Sequence, residues 1–70
     1  MANPKLSVII PFYNEAENLP QLHRELCETL TQIDFPTEII YVDDGSTDGS
    51  ALPDISHPNI AIKLVRLWRN

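Results

Sequence analysis

Three apolar runs along the chain predict three β-strands. The first, residues 6–12, is rich in β-branched side chains and has Pro11 near its end, which suits a buried strand whose ladder stops there. The second, residues 38–42, leads into a polar stretch of Asp, Gly, Ser and Thr that is typical of a turn. The third, residues 60–68, interleaves apolar and basic side chains, so we expect an edge strand on which Arg66 is a solvated charge.

An amphipathic helix is predicted between the first two strands. Its apolar side chains recur at steps of three and four residues, at Leu19, Leu22, Leu26, Leu30 and Ile33. Asn18 is expected to cap the helix, with Gln21 completing a capping box. Because Pro36 biases the residue before it away from helical angles, the helix should end by Asp34.

The links between the runs are long enough to join parallel strands. Residues 13–36 and 44–59 form links of 24 and 16 residues, and the second is expected to contain only a short helical turn through Leu52, because Pro53 follows. With right-handed crossovers, the sequence predicts an α/β fold: a three-stranded parallel sheet in the order 3-2-1 with crossover helices. This is half of a doubly wound, Rossmann-like sheet.

Composition narrows the possible function classes. The chain has 70 residues, ten acidic against five basic side chains and a formal charge of -5, so we expect no nucleic-acid partner. Its single cysteine, Cys27, excludes an internal disulfide and is expected to be a small core residue, while His23 and His57 look isolated and therefore poor ligands or bases. No apolar run approaches the roughly 20 residues of a membrane span, and the first residues lack the apolar stretch of a signal peptide, so we expect a cytoplasmic protein.

Two polar clusters follow the first and second strands. Adjacent parallel strands should bring residues 11–15 and 43–46 together at the edge of the sheet where α/β folds bind ligands. Tyr13 offers a flat face for a base, and Glu15 and Asp44 are acceptors for a ribose hydroxyl or a base N–H. The clusters outline a nucleotide pocket. The alternative is that Asn14 and the Asp-Asp-Gly-Ser run only form turns.

Phosphate-binding motifs are missing from the sequence. With only two glycines, Gly45 and Gly49, the chain has neither a Gly-x-Gly-x-x-Gly nor a P-loop. An acidic pocket repels a bare diphosphate, so the phosphates need a divalent metal or basic groups from elsewhere. Asp43 and Asp44 rarely reach one ion together, because adjacent strand residues point to opposite faces.

The segments 6–19 and 38–49 resemble the start of family 2 glycosyltransferases, which have the GT-A fold. Arg69-Asn70 is similar to the Arg-Asn that follows strand three in the polyprenyl-phosphate branch, which includes dolichol-phosphate mannose synthase-like enzymes. The resemblance implies that four residues hold the base and ribose of a nucleotide-diphosphate sugar: Pro11, Tyr13, Glu15 and Asp44. It also implies that Asp43 supports these residues and that Arg69 approaches the diphosphate. The implied nucleotide-binding set is Pro11, Tyr13, Glu15, Asp43, Asp44 and Arg69.

The resemblance also bears on what the chain lacks. The family's metal-binding Asp-x-Asp and its catalytic base come later in the sequence, so we expect residues 1–70 to be one partial domain that holds no catalytic residue or metal ligand and is inactive alone. A divalent metal, Mg or Mn, is expected only in the full-length parent, and membrane association only through downstream segments. Since the first strand lacks a partner on one side, we expect a homo-oligomer.

Two other functions remain open at this point. One is a non-catalytic α/β binding or assembly module, which the short length permits. The other is a receiver-type signalling domain, because residues 39–44 mimic the acidic strand end of such proteins. A receiver also requires a later phosphoacceptor Asp and a Lys, and the only aspartates after Asp44 are Asp48 and Asp54, both in predicted loops.

Overall fold

The computed structural model describes residues 3–49 and 58–67. This part of the chain contains three strands and one helix: β1 (Leu6–Phe12), α1 (Leu19–Leu30), β2 (Thr37–Asp43) and β3 (Ile60–Arg66). The predicted helical turn through Leu52 and the predicted end of the third strand at Trp68 lie outside the described residues.

The three strands form one parallel sheet with β2 in the centre. This confirms the predicted α/β class and strand order. Phe12, Asp43 and Arg66 share one row of the register, so the three strands end level with one another. β1 and β3 are the two edges of the described sheet, and the loops after β1 and β2 leave from the same side of it.

The core lies between α1 and one face of the sheet. Side chains alternate between the two faces along a strand. Every second residue of β2, from Thr37 to Asp43, lies on this face, and all of these residues are buried. The fully enclosed apolar cluster consists of Phe12, Leu19, Cys27, Leu30, Ile39, Tyr41 and Ile60. The predicted core position of Cys27 is therefore confirmed, and burial raises the pKa of its thiol, which keeps it protonated and poorly nucleophilic.

His23 is not isolated, and that prediction was wrong. It is fully buried on α1, its Nδ1 lies 2.5 Å from the hydroxyl of Tyr41, and its Nε2 lies 3.6 Å from the sulfur of Cys27. Position 23 falls four residues after Leu19 and four before Cys27, which places it on the buried stripe of the helix. Burial raises the pKa of Tyr41 to about 12, so its phenol stays protonated at neutral pH.

The start of α1 differs from the predicted capping box. Asn18 occupies the N-cap position but has helical angles, and its side chain caps no backbone N–H of the helix. Its amide instead donates to Glu15 Oε2 at 2.9 Å, while Gln21 donates to Glu25 Oε1 at 3.1 Å. A cap residue needs an extended backbone for its side chain to turn back onto the first turn, and Asn18 lacks it.

The end of the helix also shortens the predicted apolar stripe. α1 ends at Leu30, so Ile33 lies in the turn that follows, although it still packs against the core. This ending agrees with the limit set by Pro36.

The other face of the sheet carries a polar row across the strands. Ser7 Oγ donates to Glu38 Oε1, and Lys63 Nζ lies 3.1 Å from Glu38 Oε2. The Ser7 hydrogen bond, followed by the Lys63 ammonium, lowers the pKa of Glu38. Ile9, on the same face, leaves 63% of its surface exposed.

Candidate functional site

The loops after β1 and β2 meet at the carboxyl edge of the sheet. The backbone N–H of Asp44 donates to the carbonyl of Phe12 at 2.9 Å, which carries the β1–β2 ladder one residue beyond the end of β2. The chain then turns at Gly45, whose φ of 81° lies in the left-handed region that glycine adopts without strain. The polar clusters predicted to be neighbours are therefore in direct contact.

Asn14 joins the first loop to the second. Its Oδ1 accepts the backbone N–H groups of Thr47 at 2.7 Å and Asp48 at 3.2 Å, and its own N–H donates to Ser46 Oγ at 2.9 Å. Its φ of 51° is left-handed, a conformation that Asn tolerates better than most residues. The Asp48 carboxylate adds a fourth bond between the loops by accepting the N–H of Ala16 at 3.1 Å.

Asp43 is a buried carboxylate that shapes the second loop from within. Its side chain accepts the N–H of Ser46 at 2.8 Å through Oδ1, and its Oδ2 lies 3.4 Å from Arg66 Nη1. The hydrogen bonds from Ser46, aided by the Arg66 charge, lower the pKa of Asp43, so it is ionised at neutral pH. Arg66 is thus an ion-pair partner and not only the solvated charge that we predicted, although most of its side chain is exposed.

The residues predicted to contact a ligand directly are more accessible. Tyr13 exposes 47% of its surface, Pro11 is exposed and Asp44 is half-buried. Glu15 is exposed, and its carboxylate accepts a hydrogen bond from the Asn18 amide through Oε2. A carboxylate accepts about four hydrogen bonds, so Glu15 retains acceptor capacity for a ligand.

The structure brings five of the six predicted residues to one edge of the sheet: Pro11, Tyr13, Glu15, Asp43 and Asp44. The sixth, Arg69, lies outside the described residues. Sequence reasoning missed Ser46 and Asp48 as partners between the loops. Their short polar side chains beside two glycines signalled a turn, but the contacts to Asn14 and Ala16 depend on the strand register.

The described residues contain no cluster of metal-ligating side chains. Within residues 3–49 and 58–67, no group of three or more His, Cys, Asp or Glu side chains is arranged to hold a metal ion. Asp43, the most buried carboxylate of the site, directs both oxygens to protein partners. Nor does any described helix have the length and apolar character needed to cross a membrane.

A separate cavity lies at the opposite end of the sheet. It has a volume of about 240 Å³ and is lined by Ile33, Asp34, Phe35, Pro36 and Asn59, which precede β2 and β3. None of the predicted site residues lines it.

Comparisons with known proteins point to one family. The model of glycosyl transferase family 2 matches residues 7–60. An uncharacterised glycosyltransferase of Synechocystis sp. is 46% identical over 68 residues, which cover 94% of this chain and 21% of that protein. Undecaprenyl-phosphate 4-deoxy-4-formamido-L-arabinose transferases of Sodalis glossinidius and Serratia proteamaculans are 51% and 53% identical over 47 residues, covering 67% of this chain and 14% of each relative.

The chain spans about a fifth or less of the length of these curated relatives. No solved structure matches it. The family model, however, covers β2, all of β1 except Leu6, and both loops that form the candidate site. The chain belongs to glycosyl transferase family 2.

Proposed function

We propose that the parent protein transfers a sugar from a nucleotide-diphosphate sugar to an acceptor such as polyprenyl phosphate or a glycan, and that residues 1–70 supply the nucleotide-binding part of its domain. The family membership supports sugar transfer. The acceptor class is suggested by relatives whose names specify undecaprenyl phosphate.

One observation carries the proposal for this chain. The loops after β1 and β2 are joined into a single polar edge that presents an exposed aromatic ring beside carboxylates. These groups are suited to a nucleoside, because its base stacks on an aromatic face and its ribose hydroxyls donate hydrogen bonds to acceptors.

Each predicted residue has a role in this proposal. Tyr13 stacks on the base beside Pro11, and Glu15 and Asp44 accept hydrogen bonds from the ribose or from the base edge. Asp43 acts indirectly, since its carboxylate orders the loop that carries Asp44. The role of Arg69 at the diphosphate rests on the family resemblance.

The chemical step of sugar transfer belongs to other parts of the parent protein. Transfer requires a base to activate the acceptor and a group that stabilises the charge of the leaving diphosphate. The family resemblance implies a divalent metal for the second task. Asp43 directs both carboxylate oxygens to protein partners, which supports a Mg or Mn site elsewhere in the parent, and we expect no turnover from residues 1–70 alone.

The remaining partners are part of the same proposal. We expect no nucleic acid, a homo-oligomer, and membrane association only through downstream segments of the parent. The cytoplasmic location also remains a proposal, with which the buried free thiol of Cys27 agrees.

The test is a titration of the ¹⁵N-labelled chain with uridine diphosphate and guanosine diphosphate. We expect the amide signals of Tyr13, Glu15 and Asp44 to move together for at least one nucleotide, with a Kd of about 1 mM. Asp44→Asn should weaken binding more than Asp43→Asn does, because only Asp44 accepts from the nucleotide. Scattered shifts, or none at millimolar nucleotide, would contradict the site, and equal effects of the two variants would contradict the assignment of Asp44.

A further inference from the structure

The four hydrogen bonds between the two loops form an arrangement that turn formation alone does not require. We call it the loop clasp: Asn14 bonded to Ser46, Thr47 and Asp48, and Asp48 bonded to Ala16. Each bond joins residues more than 30 positions apart in the sequence. A turn needs only local bonds, such as the one between Asp43 and Ser46.

The clasp residues alternate along the chain with the predicted ligand-binding residues. Asn14 lies between Tyr13 and Glu15, and its left-handed backbone sets the direction in which the chain leaves Tyr13. Asp48 holds Ala16, the residue directly after Glu15. The second loop is fixed at both ends, by Asp44 on the carbonyl of Phe12 and by Thr47 and Asp48 on Asn14.

We propose that Asn14 and Asp48 are positioning residues for nucleotide binding: the loop clasp holds Tyr13, Glu15 and Asp44 in one arrangement before the nucleotide arrives. This inference rests on the proposed function. Short loops without the clasp sample many conformations, and a ligand that must first order them binds more weakly. The clasp therefore strengthens binding although neither side chain is required to touch the nucleotide.

The test uses substitutions that separate the hydrogen bonds from charge and backbone strain. Asn14→Gly removes the Oδ1 acceptor while keeping a residue that tolerates the left-handed backbone. Asp48→Ala removes the bond to Ala16, whereas Asp48→Asn removes only the charge and keeps an acceptor oxygen. Thr31→Ala is the matched control, because it deletes an exposed hydrogen bond of 2.8 Å to the carbonyl of Glu28 at the opposite end of α1.

Nucleotide affinity and amide hydrogen exchange test the positioning role of Asn14 and Asp48. With uridine diphosphate and guanosine diphosphate as probes, Asn14→Gly and Asp48→Ala should raise Kd about tenfold, a loss of about 1.4 kcal/mol, while Asp48→Asn and Thr31→Ala stay near the wild-type value. Without ligand, Asn14→Gly should speed hydrogen exchange at the Thr47 and Asp48 amides about tenfold, because these amides lose their acceptor.

The outcomes are distinct. Wild-type-like Kd values for Asn14→Gly and Asp48→Ala would overturn the positioning role, as would equal weakening by Asp48→Ala and Asp48→Asn, which would make charge the cause. Unchanged hydrogen exchange at the Thr47 and Asp48 amides of Asn14→Gly would show that the loop clasp does not form, whether or not the chain binds a nucleotide. If the wild-type chain bound neither nucleotide while the exchange rates rose as expected, the proposed function would fail and the clasp would remain only a device that orders the loops.

Discussion

Glu38 and Asp43 show how single side chains are stabilised in their charged form by protein partners. Each accepts a hydrogen bond from a serine and lies beside a basic side chain, and in both cases these contacts lower the pKa of the carboxyl group. Their positions differ, since Asp43 lies at the site edge and Glu38 at the amino end of the same strand. The lowered pKa of Asp43 thus belongs to a residue that supports the site, whereas a shift in the same direction at Glu38 belongs to a structural contact.

The stability of the chain should depend on pH through these two carboxyls. A carboxyl whose pKa is lower in the folded than in the unfolded chain contributes stability above its unfolded value of about 4, and this contribution is lost as the pH falls through the folded value. We expect the free energy of unfolding to decrease below about pH 4, and Glu38→Gln to flatten that decrease. Urea unfolding at a series of pH values measures it.

The control for this experiment is Glu28→Gln, which removes an exposed carboxylate from α1. It should leave the slope of stability against pH close to that of the wild type. A slope that Glu38→Gln and Glu28→Gln changed equally would show that overall charge, and not the contact with Ser7 and Lys63, sets the acid sensitivity.

Between elements, α1 and β2 are joined by more than apolar packing. The His23 and Tyr41 side chains meet in the core, and their rings lie 5.5 Å apart between centroids. Tyr41→Phe keeps the ring and removes the hydroxyl that contacts His23. Because removing one partner of a buried polar pair costs about 1–3 kcal/mol, we expect a loss of that size in the free energy of unfolding.

Chemical denaturation followed by circular dichroism measures this loss. Tyr13→Phe is the matched control, because it makes the same chemical change on a ring that is 47% exposed, and it should cost less. Equal losses from the two variants would contradict the importance of the contact between helix and strand.

Local periodicity was sufficient to predict most elements of this fold. β-branched runs and the steps of three and four residues gave β1, β2, β3 and α1 with small errors at the ends, and the length of the links gave the parallel order. The capping box failed because it depends on the backbone angles of Asn18, which the sequence motif does not report. The partner of His23 was missed because it comes from Tyr41, 18 residues away and on another element.

The candidate site could likewise be predicted from the sequence only in part. The position of Tyr13, Glu15, Asp43 and Asp44 at one edge could be predicted, since it requires only that two adjacent parallel strands end together. The bonds of Asn14 to Ser46, Thr47 and Asp48 could not, because they depend on the register between β1 and β2 and on one left-handed residue.

At the scale of the whole molecule, we expect association to depend on the edge of β1 that no other described strand covers. The carbonyl of Phe12 faces β2, so the backbone groups of Ser7, Ile9 and Pro11 alternate toward the open side, where Pro11 has no N–H to donate. The exposed Ile9 side chain adds apolar surface next to this edge. Pro11 weakens pairing along this edge, but the backbone groups of Ser7 and Ile9 still face the open side of the described sheet, and such an edge is a template for pairing with a second copy.

We therefore expect concentration-dependent association of the chain. Sedimentation velocity in the micromolar range should show a homodimer or larger assembly, and Ile9→Lys should shift it toward monomer, because a charge on an edge strand opposes pairing. Leu22→Lys, at an exposed apolar residue of α1, is the control and should not change the assembly. A wild-type chain that sediments as a monomer at every concentration would contradict this expectation.

The proposed function requires a nucleotide base to lie on Tyr13 at the edge formed by the two joined loops. Intermolecular nuclear Overhauser effects between the nucleotide and the aromatic rings of the chain test it most directly. We predict contacts from the base protons of the bound nucleotide to the ring of Tyr13, and none to Phe35, whose ring is 40% exposed beside the cavity at the opposite end of the sheet. Contacts to Phe35 without contacts to Tyr13, or none to either ring at saturating nucleotide, would show that the base does not lie on Tyr13.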